Sequence, residues 1–185
     1  MKKFFLGITG ASGAVYGLKL LDELTKLDAE VHVCITPDGH ENILIETGKE
    51  LDRAEFGGNV IFHDSRNFAA PVSSGSFMVD HYIIAPASMG CVGRIASGVS
   101  SNLVERCADV AMKEKRDLVI LFREAPLNLI HLENLTKLAK AGAVIIPAAP
   151  AFYHKPESID DLISFMIGKI FDILKTDHRL FKRWE

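Results

Sequence analysis

Apolar positions follow two rhythms along this chain. Short, nearly unbroken apolar runs at residues 3–9 (KFFLGIT), 30–36 (EVHVCIT), 60–63, 82–85, 118–122 and 143–146 read as strands buried on both faces. Between them, apolar residues recur at helical spacing. Val15, Leu18, Leu21 and Leu24 mark a helix up to Lys26, and Leu103, Cys107 and Val110 mark one within residues 102–115. Leu129, Leu132, Leu135 and Leu138 mark another, closed by Gly142. Residues 41–47 predict a helix ending at Gly48, with Pro37-Asp38-Gly39 stopping the second strand and Pro86 breaking the fourth. Ser158-x-x-Asp161 resembles a capping box and opens a last helix through Leu174. Strands alternating with helices predict an α/β fold whose parallel sheet is covered on both faces.

The length of 185 residues fits one domain. A net charge of −3 gives no electrostatic reason to expect nucleic acid. No apolar run reaches the length of a membrane span, and no signal-peptide pattern is present. Cys34, Cys91 and Cys107 lack metal spacing, as do the seven histidines, so no metal site is expected and a reduced, cytoplasmic protein fits best.

Chemistry enters at the first turn, Gly7-Ile-Thr-Gly-Ala-Ser-Gly13. A strand, a Gly-rich turn and a helix place free backbone N–H groups at a helix N-terminus, a built-in anion site to which Ser12 adds a hydroxyl. The glycines at 7, 10 and 13 do not fit G-x-G-x-x-G, and no Gly-Lys-Ser/Thr follows. The opening also departs from that of short-chain dehydrogenases, because Tyr16 stands at the third glycine and no Tyr-x-x-x-Lys pair follows. The loop suits a mononucleotide, with a flavin foremost. In such sheets ligands sit outside the carboxyl ends of the strands. The segments 73–77, 86–102, 123–128 and 147–156 are all expected at that edge. Two Gly/Ser loops and several cations there imply two anionic groups.

The motifs Thr9-Gly-Ala-Ser-Gly13, Ser74-Gly-Ser-Phe77, Pro86-Ala-Ser-Met-Gly90, Arg94-Ile-Ala-Ser-Gly98, Arg106, Lys113-Glu114, Arg123-Glu124, Pro126-Leu127 and Pro150-Ala-Phe-Tyr153 together resemble the UbiX-type flavin prenyltransferases, within the homo-oligomeric flavin-containing Cys decarboxylase-like group. The resemblance implies a flavodoxin-like (Rossmann-type) doubly wound sheet, bound FMN and often a dodecamer. It implies transfer of a dimethylallyl group from dimethylallyl phosphate to N5 and C6 of reduced FMN. The prenylated FMN is then handed to a UbiD-type decarboxylase. By motif, Gly10, Ala11, Ser12, Thr36, Ser88, Met89, Gly90, Cys91 and Arg123 correspond to FMN contacts, and Tyr153 and Lys169 to contacts for dimethylallyl phosphate. Ser12, Glu46, Lys113, Arg106, Glu124 and Trp184 match further active-site positions. Of these, Ser12, Glu46, Lys113 and Glu124 are the catalytic candidates, whereas Arg106, Lys113, Arg123 and Trp184 join the substrate set. The sequence departs from the family pattern at Thr36-Pro37-Asp38, at Cys91, which replaces Thr or Ser, and at Lys169, which replaces Arg.

The residue types suit this chemistry. Lys113, Arg123, Lys169 and the Tyr153 hydroxyl would stabilise a departing phosphate, and Phe77, Tyr153 and Trp184 offer aromatic faces to an allylic cation. Glu46, Glu124 or the released phosphate could take the C6 proton. The Asp-Asp-x-x-Asp magnesium motif of diphosphate-using prenyltransferases is absent after Asp160-Asp161, which favours a monophosphate. Two alternatives share the fold: an FMN-binding partner subunit of an aromatic acid decarboxylase, and a flavin-dependent Cys-type decarboxylase. Arg123-Glu124-Ala125-Pro126 replaces the Pro-x-Met-Asn motif of the latter. The tail, residues 176–185, is expected to pack on a neighbouring subunit, bringing Trp184 to Tyr153.

Overall fold

A computed structural model describes residues 1–184. Six strands form one parallel sheet: β1 (Lys2–Ile8), β2 (Ala29–Ile35), β3 (Val60–His63), β4 (His81–Ala87), β5 (Asp117–Phe122) and β6 (Val144–Pro147), in the order β3-β2-β1-β4-β5-β6. Helices α1 (Ala14–Thr25), α2 (Pro37–Thr47), α3 (Met89–Ala96), α4 (Leu103–Lys113), α5 (Leu129–Lys140) and α6 (Ile159–Ile173) cover it. Two apolar clusters lie on opposite faces. One joins Phe5, Tyr82 and Ile84 to α3 and α4, and the other joins Phe4, Leu6 and Ile83 to α1 and α6. Successive strand residues alternate between the clusters, so the strands read as continuous apolar runs. This is the expected doubly wound α/β fold, with the Rossmann strand order.

Four local expectations change. Pro37-Asp38-Gly39 opens α2 rather than ending β2: Thr36 accepts from the Gly39 amide at 3.2 Å, and proline at the first helical position loses no hydrogen bond. The fourth strand runs through Pro86 to Ala87, with a register shift against β5 after Ile84. The segment after it is a helix, α3, capped by Ser88 and joined to α4 by a short link. Buried Glu105 organises that link, accepting from Arg94 Nε at 2.6 Å, the Ser101 amide at 2.6 Å and Asn102 Nδ2 at 2.9 Å. On α5 only Leu135 and Leu138 are buried, whereas Leu129 and Leu132 are exposed. Steps of three residues drift by about 60° around a helix, so a stripe of four turns through roughly 180° and cannot all face the sheet.

Phe165 and Phe171 on α6, and Leu174 just past it, are buried. Lys175, in the left-handed region at φ +52°, reverses the chain after α6. The tail runs back along the helix, laying Phe181 beside Phe165 and His178 beside Phe171. Ile159, the first residue of α6, is exposed.

Candidate active site

The strand order places β1 beside β4, and the chain leaves those two strands in opposite directions across the sheet. A crevice therefore opens at their carboxyl ends. Thr9, buried just past β1, stitches its lips together. Its Oγ1 donates to the Pro86 carbonyl at 2.9 Å and accepts from the Ser88 amide at 2.9 Å. Three helix N-termini converge there, those of α1, α2 and α3, following the adjacent strands β1, β2 and β4. Their dipoles and unpaired N–H groups make the crevice favourable for anions. Gly13, at φ +102°, has no side chain to cap α1, and the Glu46 carboxylate from the end of α2 accepts from its amide at 2.7 Å.

Arg123, leaving β5, reaches across β4 to the first turn. Its Nε donates to the Ser12 carbonyl at 3.0 Å, and its amide lies 3.4 Å from the Ala87 carbonyl. Gly10 packs so tightly on Asp38 that a Cβ there would collide with the Asp38 side chain. Ser88 caps α3 by accepting from the Cys91 amide at 3.3 Å. The Cys91 thiol itself faces the core, where burial pushes it up to about 12, so Cys91 borders the crevice through its amide. Glu124 follows Arg123 and accepts from the Ala125 amide at 3.1 Å. The structure thus gathers Gly10, Ala11, Ser12, Thr36, Glu46, the 88–91 segment and Arg123 at one crevice. Amides at helix N-termini, two serine hydroxyls and a guanidinium form a donor set suited to the phosphate of FMN.

A second group stands on the outer side of α6. Tyr153 meets Trp184 edge to face, with ring centroids 5.2 Å apart and planes at 79°, and both line a cleft of about 360 Å³ with His154, Lys155, Lys182 and Arg183. Lys169, one turn beyond Phe165 on α6, lies 3.4 Å from Asp172. Trp184 therefore meets Tyr153 within one chain.

Other expected residues lie elsewhere. Segment 73–77 sits at the amino edge of the sheet, not the carboxyl edge. Arg116, just before β5, donates to the carbonyls of Gly75 and Phe77 at 2.6 and 3.0 Å, and Lys3, at the start of β1, lies over the Phe77 ring at 4.5 Å. Lys113 ends α4 at that same edge, paired with Glu114. Arg106 donates to the Ser73 carbonyl at 3.1 Å and pairs with Asp109 at 2.7 Å. Sequence reasoning missed the roles of Thr9 and Asp38. For Thr9 the signal was a polar residue closing an apolar strand, and for Asp38 there was none. Among the described residues no group of three or more His, Cys, Asp or Glu is placed to hold a metal ion. Among the described residues no helix is long and apolar enough to cross a membrane.

The Flavoprotein family model matches residues 1–171. A flavin prenyltransferase UbiX from Halalkalibacterium halodurans is 48% identical over 190 residues, covering 98% of this chain and 92% of the relative. The crystal structure of AnUbiX (PadA1) in complex with FMN and dimethylallyl pyrophosphate superposes with a TM-score of 0.93 at 38% identity, covering 100% of this chain and 97% of the other. A dodecameric FMN-dependent UbiX-like decarboxylase from Escherichia coli O157:H7 does so with a TM-score of 0.92 at 35% identity, covering 99% of each.

Proposed function

The chain belongs to the UbiX-type flavin prenyltransferases of the Flavoprotein family, and on that premise we propose how its residues divide the work. The protein is a flavin prenyltransferase that binds FMN and transfers a dimethylallyl group to the reduced cofactor. Reduced FMN, when bound, supplies the nucleophilic N5 and the C6 that accept the allyl carbons. Gly10, Ala11, Ser12, Thr36, Ser88, Met89, Gly90, Cys91 and Arg123 hold it at the crevice between β1 and β4. The observation that carries this assignment is Arg123 Nε on the Ser12 carbonyl, which sets a cation beside three helix N-termini. Glu46 and Glu124 are the carboxylates available at this edge for the C6 proton, and Ser12 donates to the flavin side.

Tyr153, Lys169 and Trp184 form the allyl-phosphate side, where the hydroxyl and ammonium bind the leaving phosphate and the indole shields the allyl group from water. Dimethylallyl phosphate is the donor we favour. The AnUbiX complex carries the pyrophosphate, so the two donors require direct comparison. Lys113 cannot serve the crevice of its own chain. A strand of β5's six residues separates the two sheet edges by about 20 Å. A neighbouring subunit supplies it, and the exposed Leu129, Ile130 and Trp184 offer apolar surface for such contacts. The dodecameric relative fits this reading. A UbiD-type decarboxylase in the cytoplasm is the recipient of the product.

Incubation with reduced FMN and dimethylallyl phosphate, followed by mass spectrometry of the extracted flavin, tests the activity, and a flavin mass increased by one C5 unit is expected. Mixing two inactive variants, Lys113→Ala and Glu46→Ala, tests the shared site. Restored turnover is expected from hybrid assemblies, and its absence contradicts the assignment of Lys113 to a neighbour's site.

A further inference from the structure

Asp172 lies in the last turn of α6 and is the electrostatic centre of the tail. Its Oδ1 accepts from Arg183 at 2.7 Å and from His178 Nε2 at 3.1 Å, and its Oδ2 lies 3.4 Å from Lys169 Nζ. Burial opposes the charge, yet Arg183 and His178 hold the carboxyl below its usual range. One carboxylate thus grips two points of the tail and one lysine of the helix beneath it.

The grip works together with a slot. Gly168, one turn before Asp172, lies under the Phe181 and His178 rings. A Cβ there would stand 2.5 Å from Phe181 Cε1 and 2.8 Å from His178 Cε1. Phe181 enters only because residue 168 has no side chain. Beyond Phe181 the chain delivers Trp184 to Tyr153. The closed arrangement carries a cost. Both ring nitrogens of His154, stacked on Phe165 and under Phe181, are shut from solvent without a hydrogen-bond partner among the described residues. Unpaired buried polar atoms favour an opened tail, and the ionic grip of Asp172 opposes them.

We propose that Asp172 is a positioning residue for allyl transfer: it clamps the tail along α6, setting Trp184 against Tyr153 while it holds Lys169 of the same helix. The proposal rests on the reading of Tyr153, Lys169 and Trp184 as the allyl-phosphate side of the site. Asp172 touches neither substrate nor flavin in this role and acts only through those three residues.

Two variants disturb the clamp by unrelated means. Asp172→Asn removes the charge at constant size, and Gly168→Ala fills the slot while favouring the helix. Trp184 is the only tryptophan in the chain, so its fluorescence anisotropy in the full-length assembly reports the tail directly. Both variants are expected to lower that anisotropy and raise the KM for dimethylallyl phosphate at least fivefold, with the Kd for FMN within twofold of wild type. Asp172→Glu should recover much of both losses. Wild-type anisotropy in both variants overturns the proposal, as does lowered anisotropy with an unchanged KM. If the unaltered protein transfers no allyl group, the reading of the site fails, whereas the anisotropy still shows whether Asp172 holds the tail.

Discussion

Glu46 and Gly13, 33 residues apart in sequence, are joined by a 2.7 Å hydrogen bond from the Gly13 amide to the Glu46 carboxylate. The bond ties the end of α2 to the start of α1 and lays a negative group on the N-terminus of a helix that has no cap of its own. Glu46 thus stands beside the Gly-rich turn.

Glu46→Gln separates capping from proton transfer. Glutamine still accepts from the Gly13 amide, whereas alanine does not, so Glu46→Ala should cost about 1 kcal/mol of stability and Glu46→Gln less. If Glu46 moves the proton, both variants should lose turnover alike, by about a hundredfold or more. Urea unfolding paired with single-turnover kinetics decides, and a Gln variant of nearly full activity reduces Glu46 to a cap.

Arg123→Ala should weaken FMN binding by about tenfold to a hundredfold, the range for a charge-assisted hydrogen bond. It also frees the Ser12 carbonyl that Arg123 Nε now holds at 3.0 Å. Isothermal titration with FMN measures this, and an unchanged Kd removes Arg123 from the flavin site.

Thr9→Val keeps the shape of a buried residue and deletes the hydroxyl that joins the Pro86 carbonyl to the Ser88 amide. The Ser88 amide then lacks this acceptor, for a loss of about 2 kcal/mol. FMN affinity should fall as well, because the 88–91 segment loses its anchor to β1. Wild-type stability and affinity together would show that the crevice needs no such stitch.

His32 and His63 give the fold a pH dependence. His32 Nδ1 lies 2.9 Å from His63 Nε2, and His32 Nε2 lies 2.7 Å from Glu30, which Lys3 also contacts at 2.7 Å. Burial pushes the His32 pKa down against the pull of Glu30, and it lowers His63 together with the neighbouring His32. Both therefore bind protons less readily folded than unfolded, where histidine titrates near 6.5. Below that pH the unfolded chain takes up more protons, so stability is complete above it and declines as pH falls from 7 towards 5. Urea midpoints across this range should fall, and His63→Gln should flatten the slope. An identical slope in the variant assigns the pH dependence elsewhere.

The strands, the first turn and every helix except α3 were legible in the residue pattern. These rest on local causes: apolar runs for strands buried on both faces, glycine where the chain turns at +102°, and Ser158 with Asp161 reciprocally capping α6. Its errors had local causes too. Proline at residues 37 and 86 reads as a stop, whereas a first helical turn accepts it and β4 carries it next to a register shift. Which residues share a place depends instead on how the strands are ordered in the sheet. Arg123 reaches Ser12 across 111 residues because the strand order brings the ends of β1, β4 and β5 together. By the same geometry, the motifs at 73–77 and at Lys113 fall at the opposite edge. Trp184 meets Tyr153 because Lys175 reverses the chain and Gly168 admits Phe181, contacts that no periodicity encodes. Periodicity reports which side of one element is apolar, whereas a site is a relation between the ends of several elements, fixed only when the whole sheet has closed around its core.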